Sequence, residues 1–348
     1  MKKTVLMLLV IAMVLSAFAC APEQASQPQP QPEASAQPAQ TEAPEEAAEP
    51  AKTDEDLYVA FISKAYAGDF WKTVQLGAET AGQDLGIKLT YEGCDTEASI
   101  DQQVNLVENA VNKGADAICI AALDTEGMVP VVESAAAKGV KIVTYNSILA
   151  SDVAVSHVAT DNYVAGGAAA EKMGELLGGK GKIVVIGTSD AAQGSVNRCN
   201  GFADKMAELY PEVEIISIQY AQGDLNRAIA IATDSMTANP DLAGIFANND
   251  ITSIGAGTAI IEKNMKGKLV FVGFDACEQN ISYLNDGVMQ GFVSQDPFMM
   301  AYQAVEAAYK ALKNEPVEAN IETKTTFVTL DNINDENVVK LLYPYGKN

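Results

Sequence analysis

Polar residues stand at the ends of several apolar runs in this chain: Asp124, Asn146, Asn249 with Asp250, Asp275 and Gln295. Taken singly, each is an ordinary loop or cap residue. Repeated after successive runs, they form a set of carboxylates and amides that accept and donate hydrogen bonds in fixed directions. Arg198 adds a planar cation suited to charge-assisted bonds, and the adjacent Phe70 and Trp71 add aromatic surface. Such a set suits reversible capture of a small polar molecule. It does not suit bond breaking, because the catalytic alternatives lack parts. His157 is the only histidine, and no nucleophile motif surrounds it. Gly187 to Gly194 is bounded by glycine but lacks the lysine of a phosphate-binding loop. No His/Cys cluster has the spacing of a metal site. The sequence therefore predicts no catalytic residue, no metal and no cofactor.

The elements that must position these residues follow from periodicity. Tyr58–Ser63, Lys88–Tyr91, Ala117–Ala122 and Lys141–Tyr145 read as strands. Val74, Ala78, Ala81 and Leu85 recur at helical spacing, as do Ile100, Val104, Val107 and Val111. Gly86, Gly114 and Gly139 each close a helix before a strand. Near residue 160 the alternation restarts. Strands are expected at Lys182–Ile186, Glu214–Gln219, Leu242–Ala247, Leu269–Phe274 and Met289–Ser294, with a helix carrying Phe202, Met206 and Leu209. Strands alternating with helices predict βαβ units in parallel sheets. In open sheets of this class, ligands gather outside the carboxyl ends of the strands, where the polar residues stand.

The amino-terminal end predicts a compartment. Lys2 and Lys3 precede the apolar run Val5 to Leu15, which ends in Ala17-Phe18-Ala19-Cys20. This reads as a signal peptide over residues 1–19, too short for a spanning helix. Cys20 resembles the acceptor of a bacterial lipobox, although Ala17 stands where leucine is usual. Residues 20–56 hold seven of the thirteen prolines among Gln, Ala, Ser and Glu, and read as an extended disordered tether. The expected location is extracytoplasmic, with the chain anchored to a membrane through lipidated Cys20. The formal net charge of −23 argues against nucleic acid as a partner. Cys94, Cys119, Cys199 and Cys277 fit neither a zinc site nor a dense disulfide framework. Cys199 beside Arg198 and Cys277 beside Asp275 raise a disulfide between them, with two free thiols as the alternative.

Several motifs occur in order: Gly68-Asp69-Phe70-Trp71, Val158-Ala159-Thr160-Asp161-Asn162 with Gly166-Gly167, Asn197-Arg198-Cys199-Asn200-Gly201-Phe202, Phe246-Ala247-Asn248-Asn249-Asp250, Val272-Gly273-Phe274-Asp275 and Ser294-Gln295. From about Leu57 to Leu330 they resemble the ribose-type periplasmic binding proteins of sugar ABC importers, which are related to lactose-repressor effector domains. The resemblance implies an α/β fold of two Rossmann-like lobes with parallel sheets joined by a three-segment hinge. The lobes would be 57–160 plus 296–326 and 161–295 plus 327–348, with hinges near Thr160-Asp161, Gln295-Asp296 and Thr326-Phe327. It places Phe70 and Trp71 as aromatic walls, and Asn146, Arg198, Asn249, Asp275 and Gln295 as polar contacts. It also implies a monomer that hands a monosaccharide to an importer permease. Where ribose binders carry Asp-Arg, this chain has Asn146-Ser147, and Gly223-Asp224 replaces an expected aromatic. The ligand therefore extends to other pentoses, hexoses, polyols and furanosyl signalling molecules, and a sensing role remains the alternative to transport.

Overall fold

The computed structural model describes residues 52–97, 99–344 and 346. The expected leader, Cys20 and most of the tether lie outside the described residues. The last tether residues belong to the folded body. Asp54–Asp56 form a short 3-10 turn, and Asp54 pairs with Lys313 at 2.9 Å.

The chain runs through β1 (Tyr58–Ser63), α1 (Asp69–Asp84), β2 (Lys88–Gly93), α2 (Ile100–Asn112), β3 (Ala117–Ile120), α3 (Val129–Ala137), β4 (Lys141–Tyr145) and β5 (Ala154–Thr160). It then crosses into a second series. That series comprises α4 (Asn162–Leu177), β6 (Lys180–Gly187), α5 (Gln193–Leu209), β7 (Glu212–Tyr220), α6 (Leu225–Ala238), β8 (Leu242–Ala247), α7 (Asp250–Glu262), β9 (Val270–Phe274), α8 (Glu278–Asn285) and β10 (Gly291–Ser294). Last come α9 (Pro297–Leu312), β11 (Asn320–Thr323), β12 (Thr326–Val328) and α10 (Glu336–Leu342).

Two six-stranded sheets result, in the orders β11-β5-β4-β3-β1-β2 and β12-β10-β9-β8-β6-β7. The first is parallel throughout. In the second, β12 pairs antiparallel with β10 and the other neighbours are parallel. The two orders are the same sequence of positions, strand for strand. The chain passes between the sheets three times: after β5, after β10, and between β11 and β12.

The strand sequences explain the layering. β1 is buried at all six residues, as expected of a strand covered on both faces. In the first lobe Phe61 and Tyr145 pack with Met300 of α9 on one face. Ile62 and Ile118 pack with Val107 and Val132 of α2 and α3 on the other. In the second lobe Phe202 of α5 stacks on Phe246 of β8 at 4.3 Å, in one cluster with Ala169 and Met173 of α4, while Phe271 and Phe292 face the side of α6 and α7. Gly86, Gly114 and Gly139 take left-handed backbone after α1, α2 and α3, as their spacing in the sequence predicts.

α4 and α5 approach more closely than side chains would permit. A Cβ at Gly166 would meet the carbonyl oxygen of Arg198 at 2.1 Å, and one at Gly201 would meet that of Tyr163 at 2.0 Å. Glycine at both positions sets the distance at which α5 presents Arg198.

Candidate functional site

The carboxyl end of β9 builds one wall. Asp275 is the first residue after the strand, in left-handed backbone at φ 68°. Aspartate tolerates that conformation better than most residues. Its N–H donates to the Val293 carbonyl at 2.8 Å. Asn280 Nδ2 donates to the carbonyls of Phe274 and Asp275 at 3.0 and 2.9 Å. The carboxylate then accepts from Gln295 Nε2 at 2.7 Å, just past β10.

Arg198 reaches this wall from α5. Its Nε donates to Asn162 Oδ1 at 2.7 Å and its Nη1 to the Asn248 carbonyl at 2.9 Å. Its guanidinium lies 4.0 Å over the Phe274 ring, a stacking that suits a planar cation. Nη1 stands 3.9 Å from Asp275 Oδ2. That distance gives attraction without a hydrogen bond, so both groups keep bonding capacity for a ligand. Arg198, Asp275 and Gln295 are thus brought together as the sequence suggests.

Other expected contacts are placed differently. Trp71 is 7 % exposed, packs into the first lobe's core and donates through Nε1 to Glu97 Oε1 at 2.9 Å. It is a core residue, and only its neighbour Phe70, edge-on to it at 5.0 Å, lines a cavity. Asn249 spends its Oδ1 on the Thr252 N–H at 2.9 Å as the N-cap of α7, and its Nδ2 lies 3.1 Å from Asp250. A capping amide has little left to offer a ligand. Asn146 follows β4 in left-handed backbone at φ 60°, the position in the first sheet equivalent to Asp275 in the second. Its N–H donates to the Val158 carbonyl at 3.0 Å, and its half-buried side chain has no partner among the described residues. The bridge raised between Cys199 and Cys277 is not formed. Both are free thiols, and Asn248 Nδ2 lies 3.4 Å from Cys199 Sγ. His157 sits in β5 with Nδ1 2.9 Å from Thr144 Oγ1, a contact within the first sheet.

Three charged residues join the site: Asp250, already one of the strand-end residues read from the sequence, and Lys64 and Glu97, which the sequence motifs do not single out. Lys64 follows β1, Glu97 lies in the loop after β2, and Asp250 opens α7. Burial lowers the Lys64 ammonium, opposed by the charge of Glu97. Burial raises Asp275, against the pull of Arg198 and Gln295. Asp250 is pushed up to about 6 by burial and then by the charge of Asp275. Glu97, from the first lobe, raises both acids of the second, so charges of both lobes act on one another across the cleft. Lys64 occupies the same kind of strand-end position as Asn146 and was legible by that rule. Glu97 is in an irregular loop and carries no such signal.

At the lobe junction a cavity of about 460 Å³ is lined by Phe70 from α1, Asp275 and Gln295 from the second lobe, Ile281 from α8, and Leu342 and Tyr343 at the carboxyl terminus. The model of the family described as "Periplasmic binding protein domain" matches residues 59–316. The chain belongs to the periplasmic binding protein domain family. As a periplasmic binding protein it is a solute-binding protein that works outside the cytoplasm. It is 25% identical over 291 residues to a D-ribose/D-allose-binding protein of Pseudomonas aeruginosa, covering 80% of this chain and 91% of that protein. A xylitol-binding protein of Mycolicibacterium smegmatis is 25% identical over 258 residues, 74% of this chain and 73% of the relative. Among solved structures, an ABC transporter solute-binding protein of Agrobacterium vitis with bound D-fucose superposes with a TM-score of 0.76 at 35% identity. That match covers 82% of this chain and 100% of the other. A carbohydrate transporter solute-binding protein of Agrobacterium radiobacter in complex with D-arabinose gives 0.76 at 32% identity, covering 82% and 98%. This periplasmic binding protein thus shares its two-lobed α/β fold with proteins solved around single sugars.

Proposed function

We propose that the protein captures a monosaccharide or a closely similar polyhydroxylated molecule between its two lobes and delivers it to the permease of an ABC importer. The observation that carries this reading is the convergence of Arg198, Asp275 and Gln295 on one wall, with Phe70 at the junction cavity. Charge-assisted bonds fix hydroxyl directions, while an aromatic face covers the C–H surface of a sugar ring. Asn146 is the contact from the first lobe, and Lys64 stands at another strand end of the same sheet. Relatives and structural neighbours named for ribose, allose, xylitol, D-fucose and D-arabinose support the same ligand class. The arrangement serves binding and not catalysis. Ligand contacting both lobes favours closure about the three crossovers near Thr160-Asp161, Gln295-Asp296 and Thr326-Phe327. The chain acts as a monomer, its leader (1–19) removed and its body held to the membrane by lipidated Cys20 and the tether.

The test is a melting screen over pentoses, hexoses and polyols, followed by calorimetric titration of each compound that raises the melting temperature. At least one sugar or polyol should stabilise the protein in a saturable manner. A flat response across the whole panel would remove this reading.

A further inference from the structure

The junction cavity is not walled by the two sheets and their helices alone. After α10 the chain turns back along it. Val338 and Leu342 are buried in the second lobe's core together with Ile281, which fixes the end of the helix. The Tyr343 N–H then donates to the Val339 carbonyl at 2.9 Å, and the Gly346 N–H donates to the Tyr343 carbonyl at 2.9 Å. This turn lays Leu341, Leu342, Tyr343 and Pro344 in succession along the cavity.

The cavity therefore holds two chemistries. Asp275 and Gln295 offer hydrogen bonds, and Asp69, Lys72, Thr73 and Glu278 add further polar groups to the lining, whereas the carboxyl-terminal turn with Ile281 and Phe70 offers apolar surface. A free monosaccharide carries hydroxyls on almost every carbon, and a hydroxyl set against apolar walls loses water without a replacement partner. An aryl or alkyl group against the same walls is favoured by the area it removes from water. About 460 Å³ falls within the ~300–1,000 Å³ typical of sites for drug-sized ligands.

We propose that the cavity has an apolar compartment beside its polar one and takes a sugar bearing an apolar substituent, such as an aryl or alkyl glycoside. The ring hydroxyls meet Asp275 and Gln295, and the substituent lies against Tyr343, Leu341 and Phe70. The proposal rests on the reading of this cleft as a sugar site.

Calorimetric titration with D-arabinose, D-fucose and both anomers of their 4-nitrophenyl glycosides tests it. The proteins compared are the wild type, Tyr343→Ala and a chain ending at Leu342, which keeps all of α10. At least one glycoside should bind the wild type about tenfold or more tightly than its parent sugar. The shortened chain should lose that preference, its glycoside and parent sugar then binding within about twofold of each other. Tyr343→Ala should lie between the two. If the parent sugars bind and every glycoside binds more weakly, the apolar compartment is wrong while the sugar site stands. A shortened chain that keeps the full preference would overturn the apolar compartment in the same way. If neither parent sugars nor glycosides bind the wild type, and the panel of sugars and polyols is silent as well, the sugar reading fails and this proposal falls with it.

Discussion

The two lobes have the same strand order but prepare their strand ends differently. In the second lobe, the polar groups are bonded to one another before any ligand arrives: Arg198 to Asn162 and Asn248, and Asp275 to Gln295. In the first lobe, Asn146 stands without a side-chain partner among the described residues, and the aromatic that would have faced the ligand is part of the core. A wall whose groups are already oriented loses little entropy on binding. In the proposed mode of binding, the second lobe is therefore the docking wall and the first supplies the closing contacts.

Substitutions can break or sharpen this contrast. The largest effect is expected at Trp71. As a core residue its change to Ala should cost about 3–5 kcal/mol of stability, read as a large fall in the denaturant midpoint. Wild-type stability together with lost sugar affinity would return Trp71 to the cleft. Asp275→Asn comes next. Asn suits the left-handed backbone better than Ala, and the change removes only the charge. It should weaken sugar binding by about 2–3 kcal/mol, roughly 30- to 150-fold, with a melting temperature close to wild type when no sugar is present. Unchanged affinity in calorimetry would show that the second lobe is not the docking wall.

Gly201→Ala should cost about 1–3 kcal/mol, because the added Cβ must push α4 from α5. It should also weaken sugar binding through Arg198, whereas a packing defect alone would lower only the melting temperature. Asn146→Gly keeps the left-handed backbone and deletes the amide. Its expected loss is about 1 kcal/mol of affinity, smaller than that of Asp275→Asn. An equal or larger loss would reverse the assignment of docking and closing walls.

The last contrast concerns pH. Asp250 is raised to about 6 from 3.8, so the folded state holds a proton there that the unfolded state releases. Its contribution to stability is fully present below about 3.8 and is lost as pH rises through about 6. Asp250→Asn, which can still accept the Ile251 N–H, should therefore be more stable than wild type at pH 7. That gap should narrow by pH 5 in parallel melting curves. A gap independent of pH would mean that Asp250 does not titrate in this range.

Much of the fold was legible because strands buried on both faces appear as unbroken apolar runs. The strand limits at Tyr58–Ser63, Lys141–Tyr145 and Leu242–Ala247 coincide with those read from sequence. β11 and β12 were not legible, being edge strands of four and three residues, too short to show a period. The grouping of Arg198, Asp275 and Gln295 on one wall was legible through motif and strand-end position. Phe70 and Trp71 could not be told apart, since neighbours on a helix point about 100° apart and only one can face a given cavity. The capping role of Asn249 was not legible, because a capping amide and a ligand-binding amide look alike in sequence. The Asn-x-x-Thr spacing from Asn249 to Thr252 was the available clue to the cap.

The triple passage of the chain between the sheets has a consequence for how the molecule could be divided. β11, the edge of the first sheet, comes from residues 320–323, and α9, which covers one of its faces, from 297–312. A gene fragment ending after β5 would encode neither. The half-protein it produced would expose the apolar face that Met300, Ala304 and Val305 now cover. No single cut in the gene yields two halves that each fold, so a working split version requires the two fragments to be made together and to exchange their segments.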